Sequence, residues 1–201
     1  MQGKIVFATN NQHKLKEIQH ILGTHFLLVS LKDIGFENEI PENQPSLEGN
    51  ALEKARYIFE RYHIPCFADD TGLEIEALGG EPGVYSARYA GSIDLFGSQD
   101  KREEANVLKV LSKLNGIANR KAQFRTVIAY ITDNVECFFE GIMKGAISEE
   151  RRGNEGFGYD PVFIPEGYSL TFAEMPLSEK NKISHRSRAF AKFVEFMNKD
   201  I

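Results

Sequence analysis

The stretch Lys4-Ile-Val-Phe-Ala-Thr-Asn-Asn-Gln-His13 decides how the chain is read. Lys4–Ala8 is β-rich, Thr9–His13 is polar, and Leu15, Ile18 and Leu22 then recur at helical spacing toward Gly23, giving strand, loop, helix. Phe26–Ser30 reads as a second strand. Further along, Leu52, Ala55 and Phe59 mark the apolar face of a helix from about Leu47 to Tyr62. Ile64–Ala68 reads as a strand running into an acidic turn, Asp69-Asp70-Thr71-Gly72, which Leu73–Ala77 leaves; Gly79–Gly91 reads as an ordered loop. Leu108, Leu111 and Leu114 give another amphipathic helix, with Lys101–Glu104 in its first turn. Ala122–Thr132 and Val135–Ile142 form a hairpin through Asp133-Asn134. Glu149–Gly158 is polar and glycine-rich and Ser178–Arg188 polar and basic, after which Phe190, Phe193, Val194 and Met197 stripe a C-terminal helix. Strands alternating with helices, plus a hairpin, indicate an α/β protein with a mixed sheet flanked by helices.

The 201 residues are 42% hydrophobic and 26% charged, the composition of a soluble globular domain able to bury roughly 70% of its unfolded surface. A net charge of −5, with no Lys/Arg block, argues against a nucleic-acid polymer as partner and leaves a single nucleotide possible. Cys66 and Cys137 are too few for a disulfide framework and read as half-buried thiols of a reducing compartment. The N-terminal apolar run is too short for a signal peptide and no stretch approaches the about 18 apolar residues of a membrane span, so a cytoplasmic protein is expected.

Three segments carry candidate chemistry. Thr9, Asn10, Asn11 and Lys14 lie between a strand and a helix start, where free N–H groups and the positive helix end favour phosphate; an ordinary capped helix is the competing reading. The Walker and dinucleotide glycine patterns are absent from this loop. Asp69 and Asp70 need solvent, hydrogen bonds or a cation, which Mg²⁺ would supply, and on an extended segment only one of the pair faces a given side. Glu39-Ile-Pro-Glu42 is a further carboxylate source. In Glu155-Gly-Phe-Gly-Tyr-Asp-Pro161, aromatic rings among glycines suit a stacked base, with Asp160 on a base edge; core aromatics near a turn compete with that reading. Lys180, His185 and Arg186 read, on charge alone, as a solvated helix face.

Taken together these segments resemble the inosine triphosphate pyrophosphatase family. The matching blocks are Phe7–Lys14, Ala68–Leu73, Ala77–Gly91, Gly156–Pro161 and Lys180–Arg186, five in order and nearly end to end. The resemblance implies a single ITPase-like domain over residues 1–201, elongated, with two lobes around a central cleft; it also implies Mg²⁺ dependence and a homodimer. It implies hydrolysis of the deaminated purine triphosphates dITP, ITP and XTP to the monophosphate and pyrophosphate, which clears them from the nucleotide pool. By similarity Asp70 activates the attacking water and holds Mg²⁺ with Glu42. Thr9, Asn10, Asn11, Gln12, His13 and Lys14 match the phosphate loop, while Thr71, Lys180 and, more weakly, Lys54 match further substrate contacts. Phe157, Gly158, Tyr159 and Asp160, with His185 and Arg186, match the base-recognition residues.

Two departures from the family pattern stand out: Asn10 where Gly is common, which Asn's tolerance of unusual backbone angles accommodates, and Ser46-Leu-Glu-Gly-Asn50 where Phe and a second Glu are frequent. Arg186 offers only donors, so a 6-keto oxygen satisfies it and a 6-amino group does not, which rejects ATP. Rejection of GTP must then depend on the 2-position. A pyrophosphatase of pyrimidine triphosphates and a triphosphate-binding module without turnover are the competing functions.

Overall fold

The computed structural model describes residues 3–22, 26–38 and 40–199. Its elements begin with β1 (Gly3–Phe7), α1 (Gln12–Leu22), β2 (Phe26–Ser30), α2 (Leu47–Tyr62), β3 (Cys66–Ile75) and β4 (Pro82–Gly83). There follow α3 (Gln99–Lys113), β5 (Lys121–Ile131), β6 (Glu136–Ile147), β7 (Phe163–Pro165), α4 (Leu177–Ile183) and α5 (His185–Lys199). The sheet order is β2-β1-β3-β5-β6-β7, with β4 on β3. β1 pairs in parallel with β2 and β3, whereas β3–β4 and β6–β7 are antiparallel. The sheet is therefore mixed, as the alternation of elements implied, and α1 is the crossover that a parallel β1–β2 pair requires.

The chain divides into two compact units. The first comprises Met1–Asp70, Thr126–Gly141 and His185–Ile201; the second, Thr71–Arg125 and Ile142–Ser184. In the first unit the Phe7 and Phe67 rings stack with centroids 4.5 Å apart, and Phe190 meets Phe67 edge-on at 5.5 Å. Ile18, Ile128 and Phe193 complete that core. In the second unit Val107, Val110 and Leu114 pack with Leu73, Ile75, Phe163 and Phe172, and the Phe124 and Phe163 rings lie 4.6 Å apart. Each large apolar side chain fully buried in this way contributes about 1.5–3 kcal/mol.

Several elements depart from the sequence reading. Asp69-Asp70-Thr71-Gly72 is no turn but the middle of the ten-residue strand β3. The carboxylates find cationic and amide partners, so the backbone continues, and the absent side chain of Gly72 admits β4: a Cβ there would lie 2.8 Å from the Gly83 carbonyl oxygen. The buried face of α2 is Leu47, Asn50, Ala51, Lys54, Ala55 and Ile58, leaving Leu52 and Phe59 only half-buried. On α3 the buried apolar positions are Val107 and Val110, followed by Leu114, while Leu108 is 54% exposed. The hairpin is present, with the Thr132 N–H bonded to the Val135 carbonyl at 2.9 Å, but β6 runs five residues beyond Ile142. Cys66 is fully buried rather than half-buried, and burial pushes its thiol pKa up. The helix end expected at Gly23, and Glu39, lie outside the described residues.

Candidate active site

The first unit gathers a charged cluster. β1 ends in Ala8-Thr9, and the loop turns into α1 through Asn11, whose Oδ1 accepts the N–H groups of His13 at 2.9 Å and Lys14 at 3.2 Å. Asn11 thus caps the helix, and two of the N–H groups that a phosphate might take are already engaged. Thr9 Oγ1 accepts the Asn11 N–H at 3.2 Å, and Asn10 Nδ2 donates to the Asn38 carbonyl at 3.3 Å. Asn10 needs no left-handed backbone: among the described residues the non-glycine with positive φ is His63. Gln12 and His13 are exposed, and Lys14 is half-buried.

Lys14 Nζ donates to Asp69 Oδ1 at 2.7 Å. Arg186, on the first turn of α5, donates through Nε to Asp69 Oδ2 at 3.4 Å and through Nη1 to Glu17. Burial alone would raise the Asp69 pKa, but Lys14, Arg186 and Lys54 outweigh it and hold the carboxyl at about 2.

Asp70, the next residue on the strand, meets a different set. Asn50 Nδ2 donates to its Oδ2 at 3.1 Å, and Lys54 Nζ lies 3.5 Å from its Oδ1. The same ammonium donates to Glu42 Oε1 at 2.6 Å, so one buried lysine serves both carboxylates. Burial raises the Asp70 pKa against the pull of Lys54 and Lys14. Lys54 goes the other way: burial would lower its pKa, but Asp70, Glu42 and Asp69 together raise it. The alternation of a strand separates the two aspartates as expected, Asp69 toward Lys14 and Arg186, Asp70 toward Asn50 and Lys54.

The segment bearing Glu42 is tied to α2. Gln44 N–H bonds Asn50 Oδ1 at 2.9 Å, Asn43 N–H bonds Glu53 Oε2 at 3.0 Å, and Ser46 Oγ caps the helix by accepting the Gly49 N–H at 3.1 Å. Among the described residues no three His, Cys, Asp or Glu side chains form a ready metal cluster. Two carboxylates alone suit Mg²⁺, which takes hard oxygen ligands, few of them from protein, and leaves the rest to water and phosphate oxygens. They do not suit zinc, which takes three or four nitrogen, sulfur or oxygen ligands.

The second unit holds the aromatic loop. Asp160 Oδ2 accepts the Phe157 N–H at 2.9 Å and the Lys180 ammonium at 2.7 Å, both charged groups being buried. Lys180 Nζ also lies 5.1 Å from the Phe157 ring centroid and 5.6 Å from that of Phe172, within cation–π range. Gly156, at φ +77°, makes room for this: a Cβ there would overlap Asp160 Oδ2. Tyr159 belongs to the core, its hydroxyl bonded to the Ser86 carbonyl at 2.9 Å, and burial raises its pKa. Phe157 is half-buried. Thr71 is half-buried on β3, directly after Asp70. Lys180, His185 and Arg186 are each 2–3% exposed, so the solvated-face reading of that run is wrong: Lys180 pairs with Asp160 and Arg186 with Glu17 and Asp69.

Asn50, Glu17 and the partners of Asp69 escaped the sequence reading. A signal existed for Asn50: with Lys54 it interrupts an otherwise apolar i, i+3, i+4, i+7 face, and polar residues on such a face need buried partners. Glu17 gave none, since a glutamate on a surface helix is ordinary.

The mixed α/β chain thus carries a buried carboxylate–lysine cluster in its first unit and a lysine-backed aromatic loop in its second. Residues 5–196 match the model of the Ham1 family, and the chain belongs to that family. It is 53% identical over 195 residues to the dITP/XTP pyrophosphatase of Porphyromonas gingivalis, covering 96% of this chain and 97% of that one. To the dITP/XTP pyrophosphatase of Flavobacterium psychrophilum it is 47% identical over 193 residues, covering 96% and 98%. The solved structure of the Staphylococcus aureus Ham1 protein superposes with a TM-score of 0.86 at 34% identity, covering 98% of this chain and all of that one.

Proposed function

We propose that this chain hydrolyses the deaminated purine nucleoside triphosphates dITP, ITP and XTP to the nucleoside monophosphate and pyrophosphate, clearing them from the nucleotide pool. The observation that carries the proposal is the buried Lys54 shared by Asp70 and Glu42, in a chain of the family whose relatives bear the dITP/XTP pyrophosphatase name. Asp70 accepts a proton from the attacking water as its oxygen bonds to the α-phosphorus. The bond from that phosphorus to the α–β bridging oxygen breaks, and pyrophosphate leaves with the electron pair. A carboxylate whose pKa burial has raised is a better base than a solvated one. Asn50 holds one of its oxygens, which fixes the direction of the other. Mg²⁺, held by Asp70 and Glu42, would offset charge on the phosphate oxygens and acidify the water.

Thr9–Lys14, Thr71, Lys54 and Lys180 take the charged end of the substrate in this reading, and Lys14 is kept in place by Asp69. Phe157–Asp160, with His185 and Arg186, take the base. In this reading the guanidinium of Arg186, anchored by Glu17 and Asp69, meets the base, where a 6-keto oxygen accepts from a guanidinium and a 6-amino group does not. The two units are the lobes of one domain, and the working protein is a cytoplasmic homodimer; light scattering should give twice the 22.7 kDa chain mass. The test of function is turnover of ITP, dITP, XTP, GTP, ATP and dTTP with Mg²⁺ and with chelator, resolving pyrophosphate from phosphate. Pyrophosphate from the first three, abolished by chelator, is expected. Equal turnover of dTTP favours the pyrimidine enzyme, and binding without turnover favours a sensor.

A further inference from the structure

Glu103 of α3 carries no role in the site described so far, yet its carboxylate reaches the aromatic loop. Its Oε2 accepts the Gly158 N–H at 2.7 Å, and its Oε1 accepts the side-chain amide of Gln99, one turn earlier, at 2.7 Å. Gly158 sits at φ +61° between Phe157 and Tyr159 and has no side chain to hold it. The loop is therefore tied at three successive residues: Phe157 N–H to Asp160, Gly158 N–H to Glu103, and Tyr159 hydroxyl to the Ser86 carbonyl. The first tie lies within the loop and the third anchors a core ring. The Glu103 tie restrains the peptide that follows Phe157, and Phe157, Gly158 and Glu103 line one cavity of about 280 Å³. The bond is charge-assisted and so roughly twice as strong as a neutral one.

We propose that Glu103 is a positioning residue for base recognition: by holding the Gly158 N–H it fixes the orientation in which Phe157 meets the purine. The inference rests on the function proposed above. Glu103 acts through the loop, so its loss weakens base binding without changing the chemical step. The experiment compares Glu103→Ala and Glu103→Gln with wild type in steady-state hydrolysis of XTP and in inhibition by xanthosine monophosphate and by pyrophosphate; circular dichroism checks the fold. Glu103→Ala should raise KM for XTP and Ki for the monophosphate about 10-fold, on the order of one charge-assisted hydrogen bond. Its kcat and its Ki for pyrophosphate should stay within about 2-fold of wild type. Glu103→Gln should restore both constants, because its amide oxygen accepts the same N–H once Gln99 turns its own amide over. An unchanged KM in the alanine variant, equal losses in both variants, or a pyrophosphate Ki that rises in step would overturn the inference while leaving the activity standing. Wild-type inactivity on XTP would instead overturn the proposed function, and this inference with it.

Discussion

Asp69→Asn tests the electrostatics of the first unit without a change of shape. Asp69 is buried between Lys14 and Arg186, and its pKa falls from the ordinary 3.8 to about 2. At about 1.36 kcal/mol per pH unit, that fall corresponds to about 2 kcal/mol of stability at neutral pH. The sign follows from the direction. A depressed carboxylate contributes in full above its unfolded pKa and loses its contribution as pH falls through 3.8 toward 2, with about half gone by pH 3. The amide carries the charge of the protonated acid, so the variant should be less stable than wild type by about 2 kcal/mol or more at pH 7. For a chain of this length that is a melting temperature roughly 5–8 °C lower. The gap should shrink by about 1 kcal/mol between pH 7 and pH 3. The assay is urea unfolding followed by far-UV circular dichroism, since the chain has no tryptophan to report by fluorescence. Equal stability at pH 7, or a gap that does not move with pH, would rule out this role for the Asp69 charge.

Asp70→Asn should reduce turnover at least about 100-fold while leaving the unfolding midpoint within about 1 kcal/mol of wild type, because it removes the proton acceptor and also a carboxylate that burial disfavours; turnover like wild type removes Asp70 from the mechanism. Lys54→Met strips the shared cation from Glu42 and Asp70 and should cost about 3 kcal/mol at pH 7.5. The loss should shrink as pH falls, since burial has already raised the Asp70 pKa and loss of the Lys54 cation raises it further; a pH-independent loss in urea titrations contradicts this. Gly156→Ala strains a residue at φ +77° and drives a Cβ into Asp160, so it should cost about 1–3 kcal/mol and raise KM for XTP; an unaffected KM means the Asp160 bond to Phe157 does not shape the base site.

How much the sequence revealed depended on whether a residue's partners were near it along the chain. α2 and β2 have the bounds that the local pattern implied, although the buried face of α2 is Leu47, Asn50, Ala51, Lys54, Ala55 and Ile58 rather than the stripe of Leu52, Ala55 and Phe59. Asp69 and Asp70 misled for the opposite reason. Adjacent carboxylates beside Thr-Gly have the composition of a turn, and only the arrival of Lys14, Lys54 and Arg186 from remote positions lets β3 run through them. The run from Lys180 to Arg186 looked solvated because its carboxylate partners, Asp160, Glu17 and Asp69, lie 20 to 169 residues away in sequence. Tyr159 and Phe157 share one loop, yet one is a core ring and the other half-buried beside a cation, a distinction composition does not carry.

The proposed reaction breaks the α–β bond of a deaminated purine triphosphate by water attack at the α-phosphorus. Its most direct test is hydrolysis of XTP in ¹⁸O-enriched water with the products weighed by mass spectrometry. One ¹⁸O in xanthosine monophosphate, unlabelled pyrophosphate and no free phosphate are expected. Labelled pyrophosphate, labelled phosphate with the diphosphate, or no turnover at all would contradict it.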